Sequence, residues 1–351
     1  MSKSGVSSNT SSEEIGITSS GGQARTGTCC GLWDHALESY EYHFKITDRI
    51  RQRMARENET WDDAFSKLKA EWSVHDQLNR DLPDFEAPQL DAGATKSVAF
   101  MFLTTSPLNR EDVWVPWFES APRDQYDIVV HNDKGGSIGA LGSLARPVDP
   151  PTMTGWATSG LVRATILLLR EALKTRSNTH FVLLSNSDIP LFSFAEFYSK
   201  VMAKTKSRFH RMDLNWDESL GRNVWQRPSV SPLFAEKGLN SKADQWSMWT
   251  REDAAFFATN NFLKNLRPRA LFVDEQYFIQ MMHTHRRKHE DLHVTFTKWK
   301  FAADSPVTFT DEVSDAILTE ARSCDAWFLR KVVKDARLPN GYMRDLGIDA
   351  A

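Results

Sequence analysis

The most informative pattern in the chain is an apolar run that ends abruptly in polar residues. Residues 180–192 read HFVLLSNSDIPLF, so the apolar stretch 181–184 is followed by Ser185, Asn186, Ser187 and Asp188. A short apolar run bounded by turn residues is typical of a central strand in a parallel sheet, and Pro190 disfavours a helix at the next step. Because open α/β sheets bind ligands at the carboxyl ends of their strands, we place the candidate site after this strand.

The region before this strand alternates between predicted strands and predicted helices. Strands are predicted at residues 97–104 (SVAFMFLT) and 127–130 (DIVV), the second leading into His131-Asn132-Asp133. Apolar residues with a helical period predict helices at residues 159–174 and 194–202. This alternation predicts a parallel α/β sheet with right-handed crossovers.

Two segments of this region are predicted to be irregular. Pro116 limits residues 110–115 to a short helix at most, and the Gly- and Pro-rich residues 135–151 predict a flexible loop. The second half is less regular, and its predicted elements are a strand at 244–249, a helix capped by Thr250, a helix at 276–284, a strand at 293–299, a helix at 311–320 and an apolar segment at 327–333.

The N-terminal part differs from the rest in composition. Residues 1–30 form a Ser-, Gly- and Thr-rich tail that we expect to be disordered. Residues 31–95 predict helices broken near residues 58–60, where Thr60 and Asp63 resemble a capping box, followed by a Pro- and Asp-rich linker. The α/β domain is therefore expected to occupy residues 96–351.

Composition excludes several classes of protein. The 351 residues carry a formal net charge of −3, whereas nucleic-acid-binding proteins usually carry a basic excess. Cys29, Cys30 and Cys324 are too few for a disulfide framework and favour a reducing compartment. No apolar run of about 18 residues and no apolar signal region occurs, so the sequence alone favours a cytoplasmic protein without a transmembrane helix.

Two carboxylates open the predicted helix at residues 276–284. Asp274 and Glu275 follow an apolar pair, and carboxylates at this position often only cap the positive end of a helix. Alternatively, Glu275 points along the rim of the sheet, where a carboxylate can take a proton from a hydroxyl nucleophile.

Two adjacent cations interrupt the apolar segment near the C-terminus. Arg330 and Lys331 lie among Trp327, Phe328 and Val332, where a charge is costly unless it meets an anion. Either both side chains extend their charged ends to solvent, or they bind an anion such as a diphosphate.

The residue patterns disfavour a metal or a nucleotide cofactor. No Asp-x-Asp pair occurs in the chain, and neither a dinucleotide-binding glycine motif nor a P-loop motif is present. His285, His289 and His293 recur every four residues, but Arg286, Arg287 and Lys288 lie beside them. We therefore interpret these histidines as a solvated helix face and expect no metal.

Taken in order, these pieces resemble the core-2/I-branching β-1,6-N-acetylglucosaminyltransferases of glycosyltransferase family 14. The resemblance runs from about residue 97 to 335 and rests on VAFMFLT at 98–104, the H-x-D at 131–133, Trp156 with its helix, FVLLSNSDIPLF at 181–192, Gln245-Trp246, Asp274-Glu275, Trp299 and FLRKV at 328–332.

The resemblance implies a GT-A-like fold, with a Rossmann-like, mostly parallel sheet flanked by helices and a helical N-terminal extension. It implies metal-free, inverting transfer of a sugar, N-acetylglucosamine or xylose, from a UDP-sugar to a glycan or glycoconjugate. By resemblance, Glu275 is the catalytic base. The implied donor-binding residues are Lys331, Arg330, Asp133, His131 and Asp188, and the implied acceptor-binding residues are Gln245, Trp246 and Trp299.

Three departures from the family leave alternatives open. The membrane anchor and luminal disulfides of the family are missing, so resemblance favours a Golgi membrane and composition favours the cytoplasm. Arg163 stands where the family often has an acid, and residues 304–307 lack an arginine that some members use at the diphosphate. A non-catalytic carbohydrate- or nucleotide-binding module on the same fold, or a cytosolic enzyme that modifies a protein or a small glycoside, are the alternatives.

Overall fold

The computed structural model describes residues 50–135, 139–155, 158–213, 241–266, 273–299 and 306–348. The predicted tail, Cys29, Cys30, Trp156 and residues 304–305 lie outside these ranges. Residues 50–57 are helical, and the next helix begins at Trp61, so the predicted break near residue 60 is confirmed. The Thr60 hydroxyl accepts a hydrogen bond of 3.2 Å from the Asp63 amide, as expected for a helix cap.

The described residues form a central sheet of seven strands and a smaller sheet of three. The central strands are β1 (Ser97–Thr104), β2 (Tyr126–Asn132), β3 (Ala145–Pro147), β4 (Asn178–Ser185), β6 (Ser207–Arg208), β9 (Met248–Thr250) and β10 (His289–Glu290). The smaller sheet contains β5 (Ile189–Pro190), β11 (Thr295–Thr297) and β12 (Phe328–Arg330), and a separate pair contains β7 (Arg211–Asp213) and β8 (Ser241–Ala243).

The central sheet is mostly parallel, as predicted. Its order is β10-β6-β9-β4-β1-β2-β3, and β9 alone runs antiparallel to both of its neighbours. In the register of β1 with its parallel neighbours, Leu103 lies opposite both His131 and Ser185. The polar residues that follow β1, β2 and β4 therefore meet at one edge of the sheet.

The strand β1 is buried on both faces because its side chains alternate between two apolar layers. Phe100 and Phe102 pack in one layer, whereas Ala99 and Met101 pack in the other. A strand covered on both faces needs apolar residues at every position, which explains the continuous run SVAFMFLT rather than an alternating pattern.

Helices cover both faces of the sheet. They are α1 (Trp61–Arg80), α2 (Glu111–Glu119), α3 (Ser159–Leu173), α4 (Phe194–Met202), α5 (Arg251–Thr259), α6 (Val273–Thr284), α7 (Asp315–Ser323) and α8 (Tyr342–Asp345). The first apolar layer takes side chains from α2, α4, α7 and the smaller sheet, and the second takes them from α3, α5 and α6. The whole arrangement is GT-A-like. None of the described helices has the length and apolar character that crossing a membrane requires.

The prediction that Pro116 ends a short helix is wrong, because α2 continues through Pro116 to Glu119. Proline inside a helix costs about 3 kcal/mol because a hydrogen bond is lost and its ring crowds the preceding turn. Here the helix buries Val113, Trp114, Trp117 and Phe118, and burying a large apolar side chain contributes about 1.5–3 kcal/mol. The packing on both sides of the proline outweighs its cost.

Other differences concern the bounds of elements. The predicted loop at residues 135–151 contains β3, whose residues pair with Ile128–Val130 of β2. The helix predicted at residues 311–320 begins later, because the Ser314 hydroxyl accepts from the Ile317 amide at 3.4 Å and caps α7. The helices predicted at 194–202 and near 159–174 are confirmed.

Candidate active site at the carboxyl edge of the sheet

Asp188 lies at the centre of the candidate site. It follows the turn after β4, its side chain is fully buried, and its Oδ2 atom accepts a hydrogen bond from the Ser185 amide. Burial raises the pKa of this carboxyl to about 6, although Arg330 and Ser185 act in the opposite direction. Among the described residues, no donor reaches the Oδ1 atom.

Hydrogen bonds to two of its backbone carbonyls hold this turn in place on two sides. The indole Nε1 of Trp114 in α2 donates to the Asp188 carbonyl at 2.9 Å. The amide of Val332, which follows β12, donates to the Ser187 carbonyl at 2.9 Å. The first residues of the smaller sheet continue the same contact, since Ile189 pairs with Leu329. The turn is therefore fixed relative to the end of β12.

Arg330, the last residue of β12, extends into this turn. Its Nε donates to the Ser185 hydroxyl at 3.0 Å, and its guanidinium lies 4.6 Å from the centroid of the Trp246 ring. Burial lowers the pKa of Arg330, while Asp188 and Asp244 raise it. An arginine stacked on an aromatic ring is held with its charge in a defined position.

Lys331 follows directly and is only half-buried. Burial lowers the pKa of its ammonium, and the charge of Arg330 lowers it further. Within the part of the chain that the structure describes, no carboxylate lies within 4.0 Å of its Nζ. The candidate site thus holds two adjacent cations near two acids, Asp188 and Asp244. Since Lys331 has no carboxylate within 4.0 Å among the described residues, its charge is available to an incoming anion.

The end of β2 contributes His131 and Asp133. The Thr152 amide donates to His131 Nε2 at 3.0 Å, so the proton of the neutral ring is on Nδ1. The ring is fully buried, and burial lowers its pKa. Asp133 accepts a hydrogen bond from the Thr154 hydroxyl and is half-buried. His131 therefore positions the segment that follows β3, and the Oδ1 atom of Asp133 is buried without a hydrogen-bond partner among the described residues.

Glu275 is the third residue of α6. Its Oε2 lies 3.5 Å from the Lys242 Nζ, and about a third of its side chain is exposed. Lys242 belongs to β8, which packs against α6 and leads to Asp244, Gln245 and Trp246. This ion pair connects Glu275, the candidate base, to the segment that contains Trp246, the ring on which Arg330 stacks.

The residues predicted to bind the acceptor sugar differ in their exposure to solvent. Trp246 is 7% exposed beneath Arg330, whereas Trp299 is 49% exposed. Trp299 follows β11, in which Thr297 pairs with Arg330, and its Nε1 donates to the Thr297 hydroxyl at 3.2 Å. The Gln245 side-chain nitrogen has no acceptor among the described residues. The exposed indole of Trp299 is suited to stacking on a sugar, whereas the Gln245 nitrogen is buried.

A group that the sequence did not predict lies beside this segment. His210, Asp244 and His293 bring their side chains together although they are far apart in the chain. The prediction of a helix face containing His285, His289 and His293 is wrong, because α6 ends at Thr284 and His289 lies in β10. No local pattern signals the group, since its contacts form only when β6, β9 and β11 are assembled.

Comparisons with known proteins agree with this architecture. The family model described as "Branch: Core-2/I-Branching enzyme" matches residues 98–322, more than half of the chain. The match contains Asp188, Trp246 and Glu275 and stops before Arg330 and Lys331.

A rice protein is also similar. Glycosyltransferase BC10 from Oryza sativa subsp. japonica is 26% identical over 162 residues. The aligned stretch covers 45% of this chain and 39% of the rice protein, so the chain spans about two fifths of the length of this relative.

Proposed function

The chain belongs to the Core-2/I-Branching enzyme family, a family of glycosyltransferases, and from this premise we propose the reaction. The proposed reaction is inverting transfer of a sugar from a UDP-sugar to a hydroxyl of a glycan or glycoconjugate, without a metal. N-acetylglucosamine and xylose are the proposed sugars. The proposal deepens the family assignment by naming the donor class and the groups that act on it.

The single observation that carries this proposal is the cation pair at the carboxyl edge of the sheet. Arg330 is held by Ser185 and Trp246, and Lys331 follows it with no carboxylate paired to it among the described residues. A diphosphate carries negative charge that grows on the leaving oxygen during transfer. Fixed cations stabilise that charge more in the transition state than in the ground state.

The proposed chemistry is a single displacement. Glu275 takes the proton from the acceptor hydroxyl as its oxygen forms a bond to the anomeric carbon of the donor sugar. The bond from this carbon to the diphosphate oxygen breaks, and UDP leaves with the electron pair next to Arg330 and Lys331. Attack from the side opposite to UDP inverts the configuration at the anomeric carbon.

The remaining residues are proposed to bind the two substrates. Asp133 is assigned to the nucleoside, with His131 holding the neighbouring segment, and Asp188 is assigned to the donor side through Arg330. Gln245, Trp246 and Trp299 are assigned to the acceptor sugar. The exposure of Trp299 supports its assignment, because an aromatic face open to solvent can stack on a sugar ring.

The direct test is a panel of UDP-sugars incubated with the protein and with oligosaccharide acceptors. Thermal shift identifies the donor, since a ligand that binds only the folded state raises its melting temperature, and release of UDP measures turnover. Binding of a UDP-sugar without acceptor-dependent UDP release would favour a non-catalytic binding module.

The metal-free assignment gives a separate prediction. We expect acceptor-dependent UDP release to continue after treatment with EDTA, because protein cations take the place of the metal at the diphosphate. The check is the rate before chelation, after chelation and after addition of Mn²⁺. Loss of the rate in EDTA with recovery in Mn²⁺ would contradict the assignment and leave the donor assignment intact.

A further inference from the structure

We propose that His210, Asp244 and His293 bind one divalent transition-metal ion, of which Zn²⁺ is the expected representative. The site is independent of the proposed transfer reaction. Imidazole nitrogens and a carboxylate oxygen are ligands that suit such an ion. The three side chains come from the residue before β7, the segment before β9 and the segment before β11.

The distances between the ligand atoms match those around a bound ion. Asp244 Oδ2 lies 2.9 Å from His210 Nδ1 and 3.5 Å from His293 Nδ1, and all three atoms lie within 4.8 Å of one another. Ligands at about 2.1 Å from a tetrahedral ion are separated from each other by about 3.4 Å. Small movements of the side chains would bring all three atoms into contact with one ion.

Both imidazoles present Nδ1 to Asp244, but because the rings are stacked, one ring must turn before both lone pairs point at the same ion. Their rings are stacked with centroids 3.5 Å apart, and the Nδ1 atoms of both face the same oxygen of Asp244. In the ion-free state, His210 Nδ1 donates its proton to Asp244. An ion requires the lone pair of each Nδ1 instead, so this hydrogen bond is broken when an ion binds.

Access and charge also permit an ion. The side chains of His210, Asp244 and His293 are 29%, 14% and 22% exposed, while His293 Nδ1 is buried and has no hydrogen-bond partner among the described residues. A carboxylate that remains ionised can neutralise part of the charge of the ion, and three ligands leave one position open to water.

The consequence of binding would be structural. Asp244 lies two residues before Trp246, the platform under Arg330. An ion would join this segment to two others that are 34 and 49 residues distant in sequence, and such a bond favours the folded state because the site does not exist in the unfolded chain.

The test is calorimetric titration of ZnCl₂ into the full-length, chelator-stripped protein. We expect one ion per chain and a higher melting temperature with Zn²⁺. In the double variant His210→Gln/His293→Gln, affinity should fall by at least about tenfold, since even indirect partners of a metal cost 10–100-fold. The control is His285→Gln, an exposed histidine that packs on Phe256 and Phe262, which should bind like the parent.

Other outcomes would overturn the proposal. Equal affinity in the parent and the double variant, or loss of binding in His285→Gln, would assign the ion to surface histidines. If the double variant does not fold, Co²⁺ in the parent decides, since visible ligand-field bands of a four-coordinate site are expected and their absence contradicts the site. If EDTA lowers the melting temperature but leaves sugar transfer unchanged, both the ion site and the metal-free transfer are supported. Either proposal can therefore fail without the other.

Discussion

At the scale of single residues, burial works against both charges of the Asp188–Arg330 pair. The pKa of Asp188 is raised and that of Arg330 is lowered, mainly by burial in each case, although the two attract each other. Their mutual attraction therefore does not fully replace the water that each has lost. An anion that reaches Arg330 and Lys331 would offset part of this cost, which is the physical reason for expecting a ligand here.

Asp188 makes stability depend on pH in a defined direction. Its pKa is about 6 in the folded protein, above the ordinary value of about 3.9 in an unfolded chain. Between these values the folded protein holds a proton that the unfolded chain has lost. The contribution of Asp188 is therefore fully present below about pH 4 and is lost as pH rises through about 6. Since one pKa unit corresponds to about 1.36 kcal/mol, it amounts to about 3 kcal/mol.

The measurement is denaturant unfolding of the parent and of Asp188→Asn from pH 4 to pH 8. The difference in free energy of unfolding should shift in favour of the parent by about 2–3 kcal/mol as pH falls from 7 to 4. All other acids are present in both proteins and cancel in the difference. A difference that does not vary with pH would mean that Asp188 titrates in the ordinary range.

Lys331 gives the most direct test of diphosphate binding. We expect Lys331→Ala to weaken UDP by about 10- to 100-fold, because a hydrogen bond to a charged group contributes about 1.5–3 kcal/mol. Transfer should slow further, since charge on the leaving oxygen grows in the transition state. Uridine, which has no phosphate, should bind almost as in the parent.

Calorimetry with UDP and with uridine makes this comparison. The matched control is Lys334→Ala, an exposed lysine three residues further along the chain, for which UDP affinity should not change. If Lys331→Ala binds UDP like the parent, the side chain only extends to solvent and does not belong to the site.

At the scale of elements, the sequence predicted those strands and helices whose apolar pattern and end residues are strong and local. The strands β1 and β4 and the helices α3 and α4 carry strong apolar periods with turn or cap residues at their ends, and the structure confirms them. The strand predicted at residues 244–249 is observed only as the short β9 (Met248–Thr250). The strand β3 was not predicted: it forms because β2 offers hydrogen bonds, and no pattern within its three residues signals this. The helix that continues through Pro116 could not be predicted without knowing the packing that offsets the energetic cost of the proline.

Glu275, near the start of helix α6, is the residue that tests the proposed catalysis. Losing a general base typically slows a reaction by about 10²–10⁴, so Glu275→Gln should lose transfer to this extent and keep donor affinity. The control is Glu196→Gln, because Glu196 is also the third residue of its helix and also lies 3.5 Å from a lysine, Lys200.

A rate assay and UDP-sugar calorimetry on both variants separate the two roles of Glu275. A transfer rate for Glu275→Gln that matches Glu196→Gln would identify Glu275 as a helix cap. Loss of donor affinity together with rate would show a failure of folding or binding and would be visible in the melting temperature.

At the scale of the whole molecule, the site depends on contacts that no sequence pattern contains. The placement of Asp188 after a buried strand could be predicted, because strand ends are local features. Its electrostatic interaction with Arg330, which is 142 residues further on, depends on the pairing of β5 with β12. The group of His210, Asp244 and His293 likewise depends on the assembled sheet. Sequence therefore predicted residue types at strand ends, and the topology determined which of them meet.

Arg163 shows how the N-terminal helix is attached to the domain. It is 2% exposed and donates to the Asn79 side chain at 2.8 Å, to the His75 carbonyl at 3.2 Å and to the Met153 carbonyl at 2.9 Å. These groups belong to α1 and to the segment before α3. Burial lowers the pKa of Arg163 to about 10, so it remains charged at neutral pH. Neutral acceptors surround this charge, and it connects α1 to α3.

Replacing Arg163 with leucine should therefore loosen α1 before the rest of the domain. Several buried acceptors would lose their donor at about 1–3 kcal/mol each, partly offset because no charge remains buried, and we expect the free energy of unfolding to fall by about 2–4 kcal/mol. Hydrogen exchange should rise in residues 61–80 and much less in β1, because Arg163 donates directly to His75 and Asn79 of this helix. The exposed Arg51→Leu serves as control, with an expected change within about 0.5 kcal/mol. Equal exchange in α1 and β1 of the Arg163 variant would contradict this role and indicate that apolar packing alone attaches the helix.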